Sequence, residues 1–166
     1  MDVGCGDGFG MGVILQEVDK VHGVDFDPLF IESARTHADN ENLNGTFSVL
    51  DITRQIPEGR FDGAYSLDLI EHIPKEKEQA CLENICKCLN ENAPCIIGTP
   101  NITSSSYASP WSMEGHINMK NADSLKGLLS DHFHNVFLFS MNDEVVHLGF
   151  YPMAHYLLAL AVGVKR

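Results

Sequence analysis

The chain is predicted to be an α/β protein built on a doubly wound, mostly parallel sheet. Three observations predict this. Short apolar, β-prone runs alternate with helix-patterned segments along the whole length. The first of these runs passes straight into a glycine-rich turn, Gly4-Cys5-Gly6-Asp7-Gly8. The second and third end in acids, Asp25 and Asp51. Ligands of such sheets bind outside the carboxyl ends of the strands, where the strand order reverses. Glycines and acids at those ends are therefore the first candidates for chemistry.

The elements follow in order. The first strand is short, because only Asp2 and Val3 separate Met1 from Gly4. Phe9 to about Glu17 is the first expected helix, and Val21–Asp25 the second strand. Asp27 is placed as an N-cap and Pro28 in the first turn of a helix running to about Ala38. Phe47–Ile52 reads as the third strand; a fourth and a fifth fall within 61–74 and 95–101. Lys75 to Asn90 is the longest expected helix. Asp123 to Phe133 is another, with Leu125, Leu128 and Leu129 on one face. Val136–Met141 and Tyr156–Val164 supply two late strands. The run Tyr156–Val162 is the longest apolar one and is too short for a bilayer, which needs about 20 residues. There is no internal repeat, and the polar stretch Asn101–Ser109 is too short to divide domains. The 166 residues read as one domain.

Charge limits the partners. The formal net charge is −12, and protonating all eight histidines still leaves −4. A nucleic-acid partner needs a basic footprint, and an anionic membrane surface attracts basic segments. Neither is expected, which leaves a small-molecule substrate, or a small group on a carrier; the oligomeric state is unspecified. The five cysteines, at 5, 81, 86, 88 and 95, have no disulfide-framework spacing. Cys86 and Cys88 lie two apart on different faces of a helix, so structural free thiols are expected and no metal site. Met1 leads directly into an acid and the glycine turn, so no secretory leader is expected. With free thiols this suggests a cytoplasmic location.

The glycine turn suits an adenosine-type cofactor. Glycine turns sharply and lets a ligand approach the backbone, and a turn that opens a helix presents unpaired N–H groups. The dinucleotide fingerprint G-x-G-x-x-G fails in every register, because Phe9, Met11 and Val13 stand where the third glycine should be. The actual pattern is an acid, Asp2, followed by G-x-G-x-G. An acid at the end of the second strand, 17 residues after Gly8, fits hydrogen bonding to ribose hydroxyls.

This pattern resembles the first motif of class I S-adenosylmethionine-dependent methyltransferases. Val21–Asp25, Phe47–Ile52, the run Phe61–Pro74 with its "LDxIEHI"-like ending, and Cys95–Asn101 resemble the family's later motifs in the same order. The resemblance implies a Rossmann-like sheet of order 3-2-1-4-5-7-6 with strand 7 antiparallel. It implies S-adenosyl-L-methionine as cofactor. Gly4, Cys5, Gly6 and Gly8 would form the cofactor loop. Asp2 would organise that loop and reach the methionine amino group, or serve only as a turn cap. Asp25 would take the ribose hydroxyls, with Phe26 on the adenine. Asp51 would hold the adenine amino group beside Ile52. Ser66 and Leu67 would line the methionine arm through backbone groups, with Asp68 near its amino group. His72, of the "EH" pair, and His116, in the long connection after the fifth strand, would be the catalytic candidates or loop histidines.

Trp111, Tyr107 and Phe150 would wall the pocket or simply pack. The family usually carries one or two helices before the first strand, and here these are expected to be missing. The expected function is methyl transfer to a small molecule, with a hydroxyl oxygen preferred and a likeness to ubiquinone-type or sugar methyltransferases. A truncated, non-catalytic cofactor-binding domain is the alternative.

Overall fold

The computed structural model describes residues 1–143 and 145–166. Eight strands form one sheet: β1 Asp2–Val3, β2 Val21–Asp25, β3 Gly45–Val49, β4 Ala64–Leu67, β5 Cys95–Pro100, β6 Phe133–Asn142, β7 Val145–His147 and β8 Tyr156–Val164. Their order is β3-β2-β1-β4-β5-β8-β6-β7. The first five pair in parallel, and β8 runs antiparallel to both β5 and β6. Without β7 this is the expected order. The addition is an edge hairpin: β7 folds back on the end of β6, pairing Val146 with Met141. The order reverses between β1 and β4, and the glycine turn leaves the sheet there.

Helices cover both faces. On one side, α1 (Met11–Ile14) and α2 (Pro28–Glu41) bury Met11, Ile31, Ala34 and Ala38 against Val21 and Phe47. On the other, α3 (Glu78–Cys88) and α5 (Ala122–His132) pack Leu82, Ile85, Leu125 and Leu129 on Val3, Ile97, Leu157 and Ala159. The pattern of α3 follows helical spacing: Cys81, Leu82, Ile85 and Cys88 face the sheet, and all four are buried. The cysteines are free, as their spacing suggests. The row Ile96–Leu160–Phe137 is in register across β5, β8 and β6, on the sheet face opposite α3 and α5; Ile96 and Phe137 are exposed.

Local signals explain where elements start and stop. Asp27 caps α2 as expected, its carboxylate accepting from Leu29 N at 2.8 Å with Pro28 at the first position. The helix runs three residues past Ala38 and stops at Asn42, which takes a left-handed backbone. The first helix is shorter than expected, four residues in place of about nine. Gly10 and Gly12 weaken helix propensity there, and Leu15 closes the last turn. The third strand ends at Val49, because Asp51 starts a turn on Thr53. The segment from Lys75 opens as a 3₁₀ turn, and the α-helix proper begins at Glu78. A short helix α4 (Pro110–Gly115), capped by Ser109, interrupts the connection after β5.

Candidate functional site

The site is built where the order reverses. Gly4, Gly6 and Gly8 all have positive φ. At Gly4 the reason is double: φ is 76°, and a Cβ would press against Leu69 at 3.0 Å. Gly4 N and Cys5 N both donate to Val24 O, which locks the turn to the end of β2. Asp25 completes the lock. One carboxylate oxygen accepts from Gly6 N and the other from Asp27 N, each at 3.0 Å. A single carboxylate thus ties the glycine turn to the start of α2, with lone pairs left over for a ligand. The half-buried Cys5 packs against Gly23, and burial pushes its thiol up to about 12, so it is inert.

A cavity of about 240 Å³ opens beside the turn. Gly4, Asp25, Phe26, Asp51, Ile52 and His72 all line it, six of the residues expected from the sequence. Leu50, Leu69, Ile73 and Pro74 supply apolar walls. Asp51 accepts from Thr53 N at 2.9 Å and Thr53 Oγ1 at 2.7 Å. The Thr53 hydroxyl above all, and Arg54 at 3.4 Å, hold its carboxyl below the usual range. Phe26 lines the cavity and is 71% exposed.

Other expected residues fall outside this cavity. Asp2 is buried under the turn and accepts from the Tyr65 hydroxyl at 2.8 Å. Burial pushes its carboxyl up to about 6, with Tyr65 acting against the shift. Ser66 is buried, and its hydroxyl donates to Val3 O at 2.8 Å, bracing β4 on β1. Leu67 ends β4 and Asp68 follows it; both are exposed, and Asp68 has φ 54°. Tyr107, Trp111 and Phe150 are exposed and line none of the described cavities.

His72 and His116 meet. Their ring centres are 5.0 Å apart at 73°. His72 Nδ1 lies 2.9 Å from Gly115 O and so carries the proton toward that carbonyl. Burial and the neighbouring His72 lower the His116 pKa, and Asp68 partly offsets this. Beneath them Glu71 is fully buried. One of its oxygens accepts from Thr99 Oγ1 at 3.0 Å, and the other has no partner among the described residues. Burial pushes the Glu71 carboxyl up.

Sequence reasoning rejected a metal site at Cys86 and Cys88. It did not find that Glu71, His72 and His116 bring one potential ligand atom each within 4.8 Å of one another. The signal lies in residues 44 positions apart, joined only by the fold. Leu69, which seats Gly4, and Tyr156, which packs over Gly98, were also missed.

Asn118 holds the histidine-bearing segment in place. Its backbone N donates to Glu71 O, and its side chain donates to Ile73 O and to Glu78. Lys120 pairs with the same Glu78 carboxylate. Burial opposes the Glu78 charge, but hydrogen bonds from Asn118 and Lys120 prevail and hold its pKa low.

Comparison with known proteins places this geometry. A family model described as "Methyltransferase domain" matches residues 1–92. The mitochondrial ubiquinone biosynthesis O-methyltransferase of Arabidopsis thaliana is 33% identical over 116 residues, covering 66% of this chain and 34% of that protein. The ubiquinone biosynthesis O-methyltransferase of Psychrobacter arcticus is 28% identical over 112 residues, covering 64% and 42%. The chain thus spans less than half the length of these relatives. Among solved structures, a Pyrococcus horikoshii protein aligns with a TM-score of 0.77 at 17% identity, covering 99% of this chain and 80% of that one. The magnesium protoporphyrin IX methyltransferase of Synechocystis, solved with S-adenosylhomocysteine, aligns at 0.73 and 18% identity, covering 98% and 72%. These likenesses show a shared fold. With the glycine turn, the strand-end acids and the matched family model, the chain belongs to the class I S-adenosylmethionine-dependent methyltransferases.

Proposed function

We propose that this domain transfers the methyl group of S-adenosyl-L-methionine to a hydroxyl oxygen of a small molecule. The observation that carries the reading is the junction of two features. A cavity lined by Gly4, Asp25, Asp51 and Ile52 ends at His72, and His72 touches His116. The cavity takes the adenosine end of the cofactor: Asp25 the ribose hydroxyls, Asp51 the adenine amino group, Phe26 and Ile52 the adenine faces. Gly4, Cys5, Gly6 and Gly8 offer backbone, Asp2 braces the turn, and Ser66 to Asp68 border the methionine arm.

The sulfonium is its own leaving group, so the protein mainly orients the partners and excludes water. The acceptor oxygen forms a bond to the methyl carbon as the carbon–sulfur bond breaks. His116 takes the hydroxyl proton, and its lowered pKa keeps it neutral and ready at physiological pH. His72 orients it. The names of the curated relatives support an oxygen acceptor, and the net charge of −12 supports a partner other than nucleic acid. A cofactor-binding domain without turnover is the second reading. It is favoured by the exposure of Tyr107 and Trp111 in the connection between β5 and α5, at 85% and 84%, where a working pocket would cover its aromatic wall.

Calorimetric titration with S-adenosylhomocysteine tests the cofactor site. Micromolar binding is expected, about −8 kcal/mol, with Asp25→Ala weakening it at least tenfold. Transfer of labelled methyl to a panel of hydroxylated small molecules, on the wild type and His116→Ala, tests the rest. Binding without any transfer selects the second reading.

A further inference from the structure

The two histidines of the site come from segments 44 residues apart, so something must hold one on the other. His72 ends a 3₁₀ turn, Ile70–His72, shortly after β4. His116 lies in the connection between β5 and α5. Three hydrogen bonds join the two segments. His72 Nδ1 donates to Gly115 O at 2.9 Å, Asn118 N to Glu71 O at 2.9 Å, and Asn118 Nδ2 to Ile73 O at 3.0 Å. Asn118 thus grips the main chain on both sides of His72. His116 stands between the two anchors, Gly115 and Asn118, and its ring meets that of His72 at 5.0 Å and 73°.

The buried Asn118 amide is fully used. It also donates to Glu78 Oε2 at 2.8 Å, and its oxygen accepts from Lys120 Nζ at 2.9 Å. Aspartate in its place would offer Ile73 O no donor and would set a second carboxylate on Glu78. Leucine, of similar size, would make none of these bonds. Lys120 O accepts from Ile102 N at 2.8 Å, which fixes the far end of the segment to the chain leaving β5. Packing is tight as well, since a Cβ on Gly115 would lie 3.2 Å from the His72 ring. Such fixing matters to chemistry: a misplacement of about 1 Å can cost about a hundredfold in rate.

We propose that Asn118 is a positioning residue for the transfer step: its amide holds His116 on His72 and so sets the base against the acceptor hydroxyl. This rests on the role of His116 proposed above. The test uses Asn118→Leu and Asn118→Ala, with Asn121→Ala as a control that loosens the cap of α5 and leaves the histidine contact alone. Each is measured at a temperature where urea titration shows it folded. The contact of the two imidazoles is read as a nuclear Overhauser effect, the cofactor site by calorimetry with S-adenosylhomocysteine, and kcat and KM from transfer of labelled methyl. Both Asn118 variants are expected to lose the ring contact and to lower kcat about ten- to a hundredfold. Their affinity for S-adenosylhomocysteine is expected to hold, because Asn118 does not line the cofactor cavity. Asn121→Ala is expected to keep all three properties. An intact ring contact or an unchanged kcat in the Asn118 variants would overturn the proposal. So would an equal loss of kcat in Asn121→Ala, a parallel loss of S-adenosylhomocysteine binding, or failure of both Asn118 variants to fold, each of which marks a structural role only. Absence of transfer by the wild type would bring down the function proposed above, and this role with it, whereas an unchanged variant brings down this role alone.

Discussion

Asp2 shows how much one buried side chain costs. Its carboxyl titrates at about 6 in the folded chain, against 3.8 as its ordinary value. The folded state therefore holds the proton more tightly than the unfolded state. The stability contributed by neutral Asp2 is complete below pH 3.8 and is lost as pH rises through about 6. The loss is on the order of 3 kcal/mol, at about 1.4 kcal/mol per unit. Asp2→Asn keeps a neutral partner for Tyr65 and removes that loss. Urea unfolding at pH 4 and pH 7 is expected to show the variant gaining on the wild type by about that amount between the two. An equal pH dependence in both proteins would contradict it. The residue scale also explains what was legible beforehand. Asp25 and Asp51 announce themselves as acids ending apolar runs. The packing of Tyr156 over Gly98 does not, because strand pairing and not local sequence brings the two together.

Element boundaries follow local chemistry. At α5, Asn121 accepts from Ser124 N at 2.8 Å while the Ser124 hydroxyl accepts from Asn121 N at 2.9 Å, a reciprocal capping box. Asn121→Ala should lower stability by about 1 kcal/mol, read as a lower Tm or urea midpoint with unchanged slope. Boundaries were legible where a cap or proline stood in the sequence, as at Asp27-Pro28. They were not where glycines interrupt a helical pattern, as in α1, or where a 3₁₀ turn precedes the helix, as before Glu78. The edge strand β7 gave no signal, because three residues carry too little periodicity.

On the scale of the whole molecule, the site depends on one buried polar link. Glu78, at the start of α3, holds Asn118 and Lys120 of the segment that carries His116. The lysine and the carboxylate are both nearly buried, their side chains only 5% and 11% exposed. Lys120→Met leaves the carboxylate uncompensated and should cost about 3–5 kcal/mol, whereas Lys120→Met with Glu78→Leu should recover much of it. Denaturant unfolding of the two variants checks this. A double variant as unstable as the single one would show that the pair is worth more than its desolvation.

The sequence by itself determined the sheet class, the glycine turn and the acids at the strand ends. Those properties are local: a glycine spacing, a strand period and an acid at a run's end are written in consecutive residues. Only the tertiary structure decided that His116 meets His72 over Glu71, that Tyr156 and Leu67 close over Gly98, and that Lys120 and Asn118 close on Glu78. Each of these joins side chains tens of residues apart. No periodicity encodes such contacts; the packing of β8 on β5 and of the β5–α5 connection on α3 creates them.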